Sequence, residues 1–520
     1  MKSINIKKII AFILIISIFI SVLTLFSCGG NNADDKKNNV TENNAKENAG
    51  YLNGGNNENN NNIGDEPETE SEKLTPALPD KDLNGETYTF YVMGYERNVN
   101  NYSMEIYAAE ETGDTIGDAV YKRNQYVEEK YNFKVAEYPE SQGDLAAAVK
   151  KTLLAGDDIY QVFMMNLAQS NSLAQQGFLH DLKTVENIDL SRQWWDYKSH
   201  RDFSLLNKLY YAVGDINIMD NNGTWAVFFN KKLLQDLGLE SPYKYVNSNE
   251  WTLDKYNEMC VAAAKDLNGD GLMTADDDQW GQVSDYLNTF MFYIGTGERA
   301  TRKDENDVPY MDMLNERSAS VIDKVMNIQL DTGITVKAED HSGKYGNVYS
   351  DMIRRNFKED RALFYTAGLL SFTLLRDMES EFGMVPLPKY EPTQDSYYTT
   401  YNLNNASALS IPVTNQRLAE TGLVVEALAA ESMYTLTPAY YEVALQRKYM
   451  RDEESSAMLD IILSSRIFDL DMVYNWGGSY GVFDSLMSKK SRDFASEYEK
   501  IKDKASAAID KTIENFGTAE

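Results

Sequence analysis

The stretch Trp225-Ala226-Val227-Phe228-Phe229 decides the fold of this protein. Its unbroken apolar and aromatic character predicts a β-strand. Lys231 to Leu237 follows as a helix, and Gly238 closes it. One compact strand–helix unit is therefore predicted near the middle of the chain.

The same alternation precedes this unit. Strands are predicted at Tyr88–Val92, Phe133–Tyr138 and Ile159–Met165, and helices at Ile116–Lys130 and Leu145–Leu154. Strands that alternate with helices favour a largely parallel sheet covered by helices. In such sheets ligands bind beyond the carboxyl ends of the strands.

The pattern continues towards the C-terminus. Thr252 is the predicted N-cap of a helix over Lys255–Lys265. Ala362–Tyr365 predicts a strand and Phe382–Pro388 an extended segment, whereas the chain from about Gln416 onward is mostly helical. The predicted fold class is therefore α/β with a helical C-terminal region.

Several short segments resemble the family 1 extracellular solute-binding proteins, the sugar-binding subunits of bacterial ABC importers. They occur in the family's order, and the resemblance runs from about Leu83 to near the C-terminus. The segments are Leu209 to Asp215, Phe228 to Lys232, Leu237 to Leu239, Trp251 to Asp254 and Gly383 to Pro388.

The resemblance implies a type II periplasmic-binding-protein-like fold of two lobes, joined by a hinge of several crossings, that closes on a carbohydrate. On this basis we assign residues 83–218 and 362–400 to one lobe, and residues 219–361 and 401–520 to the other. The implied partners are a carbohydrate and the importer's permease subunits. We expect a monomer that performs no chemistry.

The N-terminus has the layout of a signal peptide. Met1–Lys8 is basic and Ile9–Phe26 is apolar, which also fits a retained transmembrane anchor. Leu25 to Cys28 resembles the bacterial lipobox, which implies removal of residues 1–27 and lipidation of Cys28. The protein would then be lipid-anchored, outside the cell, on the outer face of the cytoplasmic membrane. Residues 28–82 are Asn-rich and polar, which predicts a disordered tether.

Charge and composition limit the function further. Asp and Glu total 80 against 50 Lys and Arg, so the formal net charge is −30, which opposes binding of nucleic acid. Cys28 and Cys260 are too few for a disulfide framework or a cysteine-based zinc site. Three histidines leave little material for acid–base catalysis.

An acidic loop from Asp266 to Asp277 has the spacing of a calcium-binding loop, with oxygen ligands at positions 1, 3, 5 and 12 and glycine at position 6. Position 12 is Asp rather than Glu, and an acidic surface turn is the alternative. We expect a structural Ca²⁺. The candidate ligands are Asp266, Asn268, Asp270, the Leu272 carbonyl, Thr274 and Asp277.

Carbohydrate recognition requires aromatic faces against sugar C–H surfaces and polar side chains against hydroxyls. Trp225 follows a polar stretch at the expected lobe crossing, and Trp476 lies beside a glycine-rich turn. The remaining candidates lie at the predicted carboxyl edge of the sheet and at the expected crossings between the two lobes. The candidate ligand-binding residues are Trp225, Trp476, Tyr365, Asn166, Tyr95, Asp220, Asn221 and Asn404.

Two alternative functions remain open at this point. One is a cell-surface glycoside hydrolase, and the other is a binding lipoprotein for a peptide or another polar solute. Gly477 to Gly481 matches the G-x-S-x-G nucleophile motif, but no histidine follows it, so a glycine-rich turn is the better interpretation.

Overall fold

The computed structural model describes residues 73–98, 101–402, 406–445 and 453–517. The described chain contains two mixed α/β units, each with its own hydrophobic core. The predicted α/β class with a helical C-terminal region is confirmed. No helix among the described residues combines the length and the apolar character needed to cross a membrane.

The first lobe is built on a four-stranded sheet. Its strands are β1 (Glu86–Met93), β2 (Phe133–Glu140), β3 (Val162–Asn166) and β11 (Ser407–Ser410), in the order β11-β3-β1-β2. β1 runs parallel to both β2 and β3, whereas β11 is antiparallel to β3. The carboxyl ends of the three parallel strands therefore meet at one edge, beside the start of β11.

The helices of the first lobe cover this sheet and contribute to its core. α1 and α2 follow the first two strands as the sequence predicts, and later helices return from the C-terminal region. These helices are α1 (Thr115–Tyr131), α2 (Leu145–Ala155), α3 (Leu167–Ala174), α4 (Tyr197–Phe203), α13 (Leu418–Ser432), α16 (Leu470–Tyr474) and α19 (Lys502–Gly517).

The second lobe is built on a five-stranded sheet in the order β10-β4-β9-β5-β8. β5 is parallel to β8 and β9, whereas β4 is antiparallel to β9 and β10. A separate hairpin pairs β6 with β7. The strands are β4 (Trp225–Asn230), β5 (Trp280–Ser284), β6 (Thr301–Lys303), β7 (Pro309–Met311), β8 (Thr335–Lys337), β9 (Ala362–Gly368) and β10 (Phe382–Val385).

Most of the remaining helices pack around the second sheet; α5 lies where the chain enters this lobe, and α14 packs on α1. They are α5 (Met219–Gly223), α6 (Lys231–Leu237), α7 (Pro242–Asn247), α8 (Leu253–Ala263), α9 (Leu287–Gly295), α10 (Ser318–Gln329), α11 (Arg355–Lys358), α12 (Ser371–Leu374), α14 (Leu436–Leu445), α15 (Glu453–Ser464), α17 (Gly481–Lys489) and α18 (Phe494–Glu499).

Side chains at the helix starts explain why several helices begin where they do. Each accepts a hydrogen bond from an otherwise unpaired amide of the first turn. Thr252 does so for Lys255 N, as the sequence predicts. The others are Asp114, Asp144, Asn166 and Asn230.

The lobe boundaries predicted from the sequence are wrong in several places. Helices α13, α16 and α19 contribute to the core of the first lobe, although residues 401–520 were assigned to the second. β9 and β10 lie in the second sheet, so residues 362–385 do not belong to the first lobe. β11 pairs with β3, so residues 407–410 belong to the first lobe and not to the second. Strand pairing is non-local, and short buried strands carry no sequence signal for their partner.

Three of the segments at which the chain passes between the two cores, residues 219–225, 397–402 and 465–469, are hydrogen-bonded to one another, and we call them the crossing segments. The first and second are paired: Trp225 N donates to Thr400 O, and Asn402 N donates to Gly223 O. The second and third are paired by Thr399 N to Ser465 O and Ile467 N to Thr399 O. The crossing segments thus form one hydrogen-bonded bundle.

The predicted tether is ordered at its end. Lys73 Nζ lies 2.6 Å from Glu431 Oε2, and Lys81 Nζ lies 2.6 Å from Glu420 Oε1. Leu78 packs against the core of the first lobe. Residues 73–82 therefore lie on α13, because two ion pairs and an apolar contact hold them there, and the prediction of disorder does not hold for them.

Candidate functional site

A cavity of about 150 Å³ lies where the carboxyl ends of β5 and β9 meet the first and second crossing segments. We call it the strand-end cavity. Its lining contains aromatic, hydroxyl, amide and carboxylate groups. The polar and aromatic lining residues are Asn222, Trp225, Ser284, Asp285, Asn288, Tyr349, Tyr365, Thr366, Ser371 and Asn402.

Trp225 places its indole in the cavity wall at the start of β4. Its backbone is held at both ends, since the amide donates to Thr400 O and the carbonyl accepts from Thr399 Oγ1 at 2.7 Å. The side chain is 5% exposed, and its Nε1 has no hydrogen-bond partner among the described residues. A buried indole N–H without a partner is uncommon and calls for an acceptor.

Asn288 and Thr366 add two more buried polar groups to the same lining. Asn288 donates through Nδ2 to Ser284 Oγ at 3.2 Å, which leaves its Oδ1 without a partner among the described residues. Thr366 Oγ1 is likewise unpartnered within that part of the chain. Each such group costs on the order of 1–3 kcal/mol when it stays unsatisfied, so the cavity favours a polar occupant.

Asp285 contributes the acidic group of the cavity. Burial and, to a lesser extent, the nearby carboxylate of Glu339 raise its pKa to about 7. One of its oxygens accepts from Asn288 N at 2.9 Å. A carboxyl group that titrates near neutrality can donate or accept hydrogen bonds there.

Tyr365 gives the cavity a second aromatic surface. It lies within the buried part of β9, and its ring lies 6.1 Å from that of Phe228. Tyr365 and Trp225, both predicted from the sequence, thus line one cavity. The arrangement joins aromatic faces to unpaired donors and acceptors, which is the chemistry that polyhydroxyl solutes require.

Trp476 lies elsewhere, in the interior of the first lobe. It is 2% exposed, its ring stacks on Tyr474 at 4.5 Å, and its Nε1 donates to Thr512 Oγ1 at 2.9 Å. The prediction that it lines the cleft is therefore not supported, because the indole is packed and its donor is satisfied. The neighbouring Ser479 is also buried and donates to the carboxylate of Asp471, which is no arrangement for a nucleophile.

Asn166, Asp220 and Asn221 hold the backbone and the crossing segments together instead of facing the cavity. Asn166 Oδ1 caps α3 by accepting from Gln169 N. Arg466, on the third crossing segment, donates to Asp220 Oδ2 and Asn221 Oδ1, both at 2.8 Å, and to Asp196 Oδ2 at 3.0 Å. This buried ion network joins the first and third crossings to the first lobe.

The remaining predicted residues divide into two groups. Tyr95 is 56% exposed and lines a different cavity, at the carboxyl edge of the first sheet. Asn404 and Cys28 lie outside the described residues.

The acidic loop adopts a series of tight turns. Asp266 accepts from Gly269 N and Gly271 N, and Asp270 accepts from Leu272 N. Among the described residues, no three His, Cys, Asp or Glu side chains converge as they would around a metal ion. The geometry of the donor set thus adds no support for Ca²⁺, which stays a prediction.

Asn288, Thr366, Ser284 and Asp285 were missed by sequence reasoning. A signal was available, because Ser284 ends β5 and Asp285 directly follows it, but the strand itself was not predicted. Its sequence, Trp280-Gly281-Gln282-Val283-Ser284, mixes polar and small residues with apolar ones. Without that strand, nothing places these side chains at a carboxyl edge.

Solved structures of sugar-binding proteins share this fold. They include the ABC substrate-binding protein Lmo0181 from Listeria monocytogenes with cycloalternan (13% identity, 83% of this chain and 99% of that chain, TM-score 0.50). MalE from Listeria monocytogenes with maltose is similar (14%, 84% and 99%, TM-score 0.50), as is apo RafE from Streptococcus pneumoniae (14%, 82% and 98%, TM-score 0.52). The fold is thus that of the two-lobed solute-binding proteins.

The family assignment comes from the sequence itself. The model of the bacterial extracellular solute-binding proteins matches residues 109–369, which is half of the chain. The protein belongs to this family, as the resemblance of its short segments predicted. A comparison with curated proteins found no match.

Proposed function

We propose that the protein captures a carbohydrate in the strand-end cavity and delivers it to the permease subunits of an ABC importer. One observation carries the proposal: Trp225 Nε1, Asn288 Oδ1 and Thr366 Oγ1 are all buried and unpartnered among the described residues, and the three residues line one cavity. Sugar hydroxyls both donate and accept, so one ligand can satisfy all three atoms. Structures of the same fold bound to maltose and cycloalternan favour this ligand class.

The position of the cavity suggests how binding is coupled to movement. Asn222 and Asn402 in its wall belong to crossing segments, while Ser284 and Tyr365 belong to the second sheet. A ligand that contacts groups from both sides binds one relative arrangement of the lobes better and shifts the population towards it. The closed form would then be the one that the permease recognises.

The proposal includes a lipid anchor at Cys28, an outer-face location and a monomeric, non-catalytic protein. A palmitate analogue should label the wild type, and Cys28→Ala should abolish labelling. Persistent labelling of the variant would contradict the anchor without affecting the ligand site.

The decisive experiment is a thermal-shift screen against a glycan panel, followed by calorimetry on any ligand that stabilises the protein. A ligand at 100 times its Kd adds about 2.7 kcal/mol to the free energy of unfolding. The same samples should show no sugar hydrolysis over time. If no glycan raises the melting temperature the carbohydrate proposal fails, and if products accumulate the protein is a hydrolase.

A further inference from the structure

A second cavity, of about 580 Å³, lies at the carboxyl edge of the first sheet, where β1 and β2 end. We call it the tyrosine cavity. Its floor is the close approach of Gly94 to β2: the Gly94 amide donates to Glu140 O, and a Cβ at this position would lie 2.6 Å from that oxygen. Only glycine allows the two strand ends to meet so closely.

Three tyrosines from the loop after β1 form its walls. Tyr95 and Tyr107 are 56% and 44% exposed, so both rings are accessible. Tyr102 supports Tyr95 edge-on, with ring centroids 5.0 Å apart and planes at 84°. This edge-on contact fixes the orientation of the Tyr95 ring. The faces of aromatic rings attract cations through their quadrupole.

The charged groups that line this cavity are all acidic: Glu96, Asp114 and Glu137. Burial, together with the neighbouring carboxylate of Glu105, raises the pKa of Glu137 to about 7. Arg97, which does not line the cavity, directs its Nη1 to Met93 Sδ at 3.7 Å. The lining residues therefore carry a net negative charge, which a cationic ligand would balance.

Ser103 adds an unsatisfied polar side chain to the residues that line the cavity. Its amide donates to Met93 O, the residue lines the cavity, and its buried Oγ has no partner among the described residues. The residue is 8% exposed. An unpartnered buried hydroxyl in a residue that lines a cavity favours a polar group there.

The geometry favours an organic cation over a metal ion. The three carboxylates are spread over the wall, since no three acidic side chains of the described residues converge to hold a metal. The cavity is also far larger than a bare ion, and two exposed tyrosines, Tyr95 and Tyr107, stand among its lining residues. Ammonium groups, whose charge is diffuse and whose hydration is weak when alkylated, suit such an aromatic and acidic site.

We propose that the tyrosine cavity binds an organic ammonium group. The inference is independent of the carbohydrate proposal, because it concerns a different cavity and different residues. The occupant is a free amine, a quaternary ammonium compound or the amino group of a larger solute.

The first test uses two probes of the same shape. Choline and 3,3-dimethylbutan-1-ol differ in one atom, nitrogen against carbon, and so in charge alone. Calorimetry with the whole protein should show choline binding at least about tenfold tighter than the neutral alcohol, with affinity falling as salt increases. Equal affinities for the two probes, or no binding of choline at about 10 mM, would overturn the proposal.

The second test separates a ring face from a hydroxyl. Tyr107→Phe keeps the ring and should bind choline as the wild type does, whereas Tyr107→Leu should weaken binding on the order of fivefold. Tyr107 is exposed, so both variants should keep the wild-type melting temperature. Glu137→Gln should also weaken choline binding, and it should leave the neutral probe unchanged. If the Phe and Leu variants bind choline alike, the tyrosine cavity is not the site. Sugar binding by these variants, followed separately, reports on the strand-end cavity.

Discussion

The surroundings of Trp225 and Trp476 differ in whether the indole N–H has a hydrogen-bond acceptor. Both residues are at least nine-tenths buried, and each begins or precedes a short structural element. Trp476 Nε1 donates to Thr512 Oγ1, and its ring stacks on Tyr474. Trp225 lines a cavity, and its Nε1 has no hydrogen-bond partner among the described residues. Burial alone therefore does not distinguish a core tryptophan from a binding one, but the state of its donor does.

The largest expected effect is on stability in the interior. Trp476→Ala removes a stacked, hydrogen-bonded ring from a packed core and should lower the free energy of unfolding by roughly 3–5 kcal/mol. Denaturant titration measures this change. The folded fraction of Trp476→Ala should bind its glycan with wild-type affinity. A loss of affinity in this folded protein would contradict the distinction between the two regions.

A matched pair of substitutions sharpens the comparison. Trp225→Phe and Trp476→Phe delete the same N–H group from two sites. At the strand-end cavity the change should raise the glycan Kd about tenfold, equivalent to about 1.4 kcal/mol, with little change in stability. In the interior it should cost about 1 kcal/mol or more of stability and leave Kd unchanged. Calorimetry and thermal melts on both variants decide it, and identical behaviour of the pair would refute the assignment.

The two regions should also respond differently to pH. Asp471, which accepts from Trp476 N, has its pKa raised to about 7 by burial and by Asp469. Its folded pKa exceeds the unfolded value, so the folded protein holds the proton between about pH 4 and 7 and stability falls as pH rises through that window. Asp471→Asn should reduce this slope in melts recorded from pH 5 to 8.

Glycan affinity should instead increase as pH rises through 7. Asp285 loses its proton there, and a carboxylate accepts stronger hydrogen bonds from sugar hydroxyls than a neutral carboxyl does. Asp285→Asn should make Kd independent of pH between 6 and 8. A Kd that keeps its pH dependence in this variant would place the titrating group elsewhere.

Calcium should give the smallest effect, and it should affect both tryptophan regions equally. If the loop from Asp266 to Asp277 binds the ion, millimolar calcium raises the melting temperature and Asp270→Ala removes the rise. Extracellular sites of this kind bind at about 10⁻⁴ to 10⁻³ M, so the titration must reach that range. Identical melts with calcium and with EDTA would show that the loop is only a turn.

Sequence reasoning succeeded where the signal is local. The strands at Glu86–Met93 and Trp225–Asn230, the helix at Lys231–Leu237 and the Thr252 cap all follow from apolar runs and capping residues next to one another. It failed at β11 (Ser407–Ser410), which is short, half serine and defined only by its partner β3. Lobe membership therefore could not be predicted, because it depends on pairing between distant segments.

The candidate site shows the same limit. Trp225 and Tyr365 could be proposed from residue type and neighbouring polar residues, and the structure brings them together. Trp476 has a similar sequence context, yet its N–H finds Thr512, thirty-six residues further along. Which donor remains unpaired depends on tertiary contacts that no local pattern records.

The ordered segment at residues 73–82 has a mechanical consequence. Its contacts with Glu431, Glu420 and the core around Leu78 all lie in the first lobe. Any force that enters through the chain before residue 73 is therefore borne by the first lobe, and the second lobe carries none of that load directly. In a tethered receptor the first lobe would act as the fixed base, relative to which the second lobe would move.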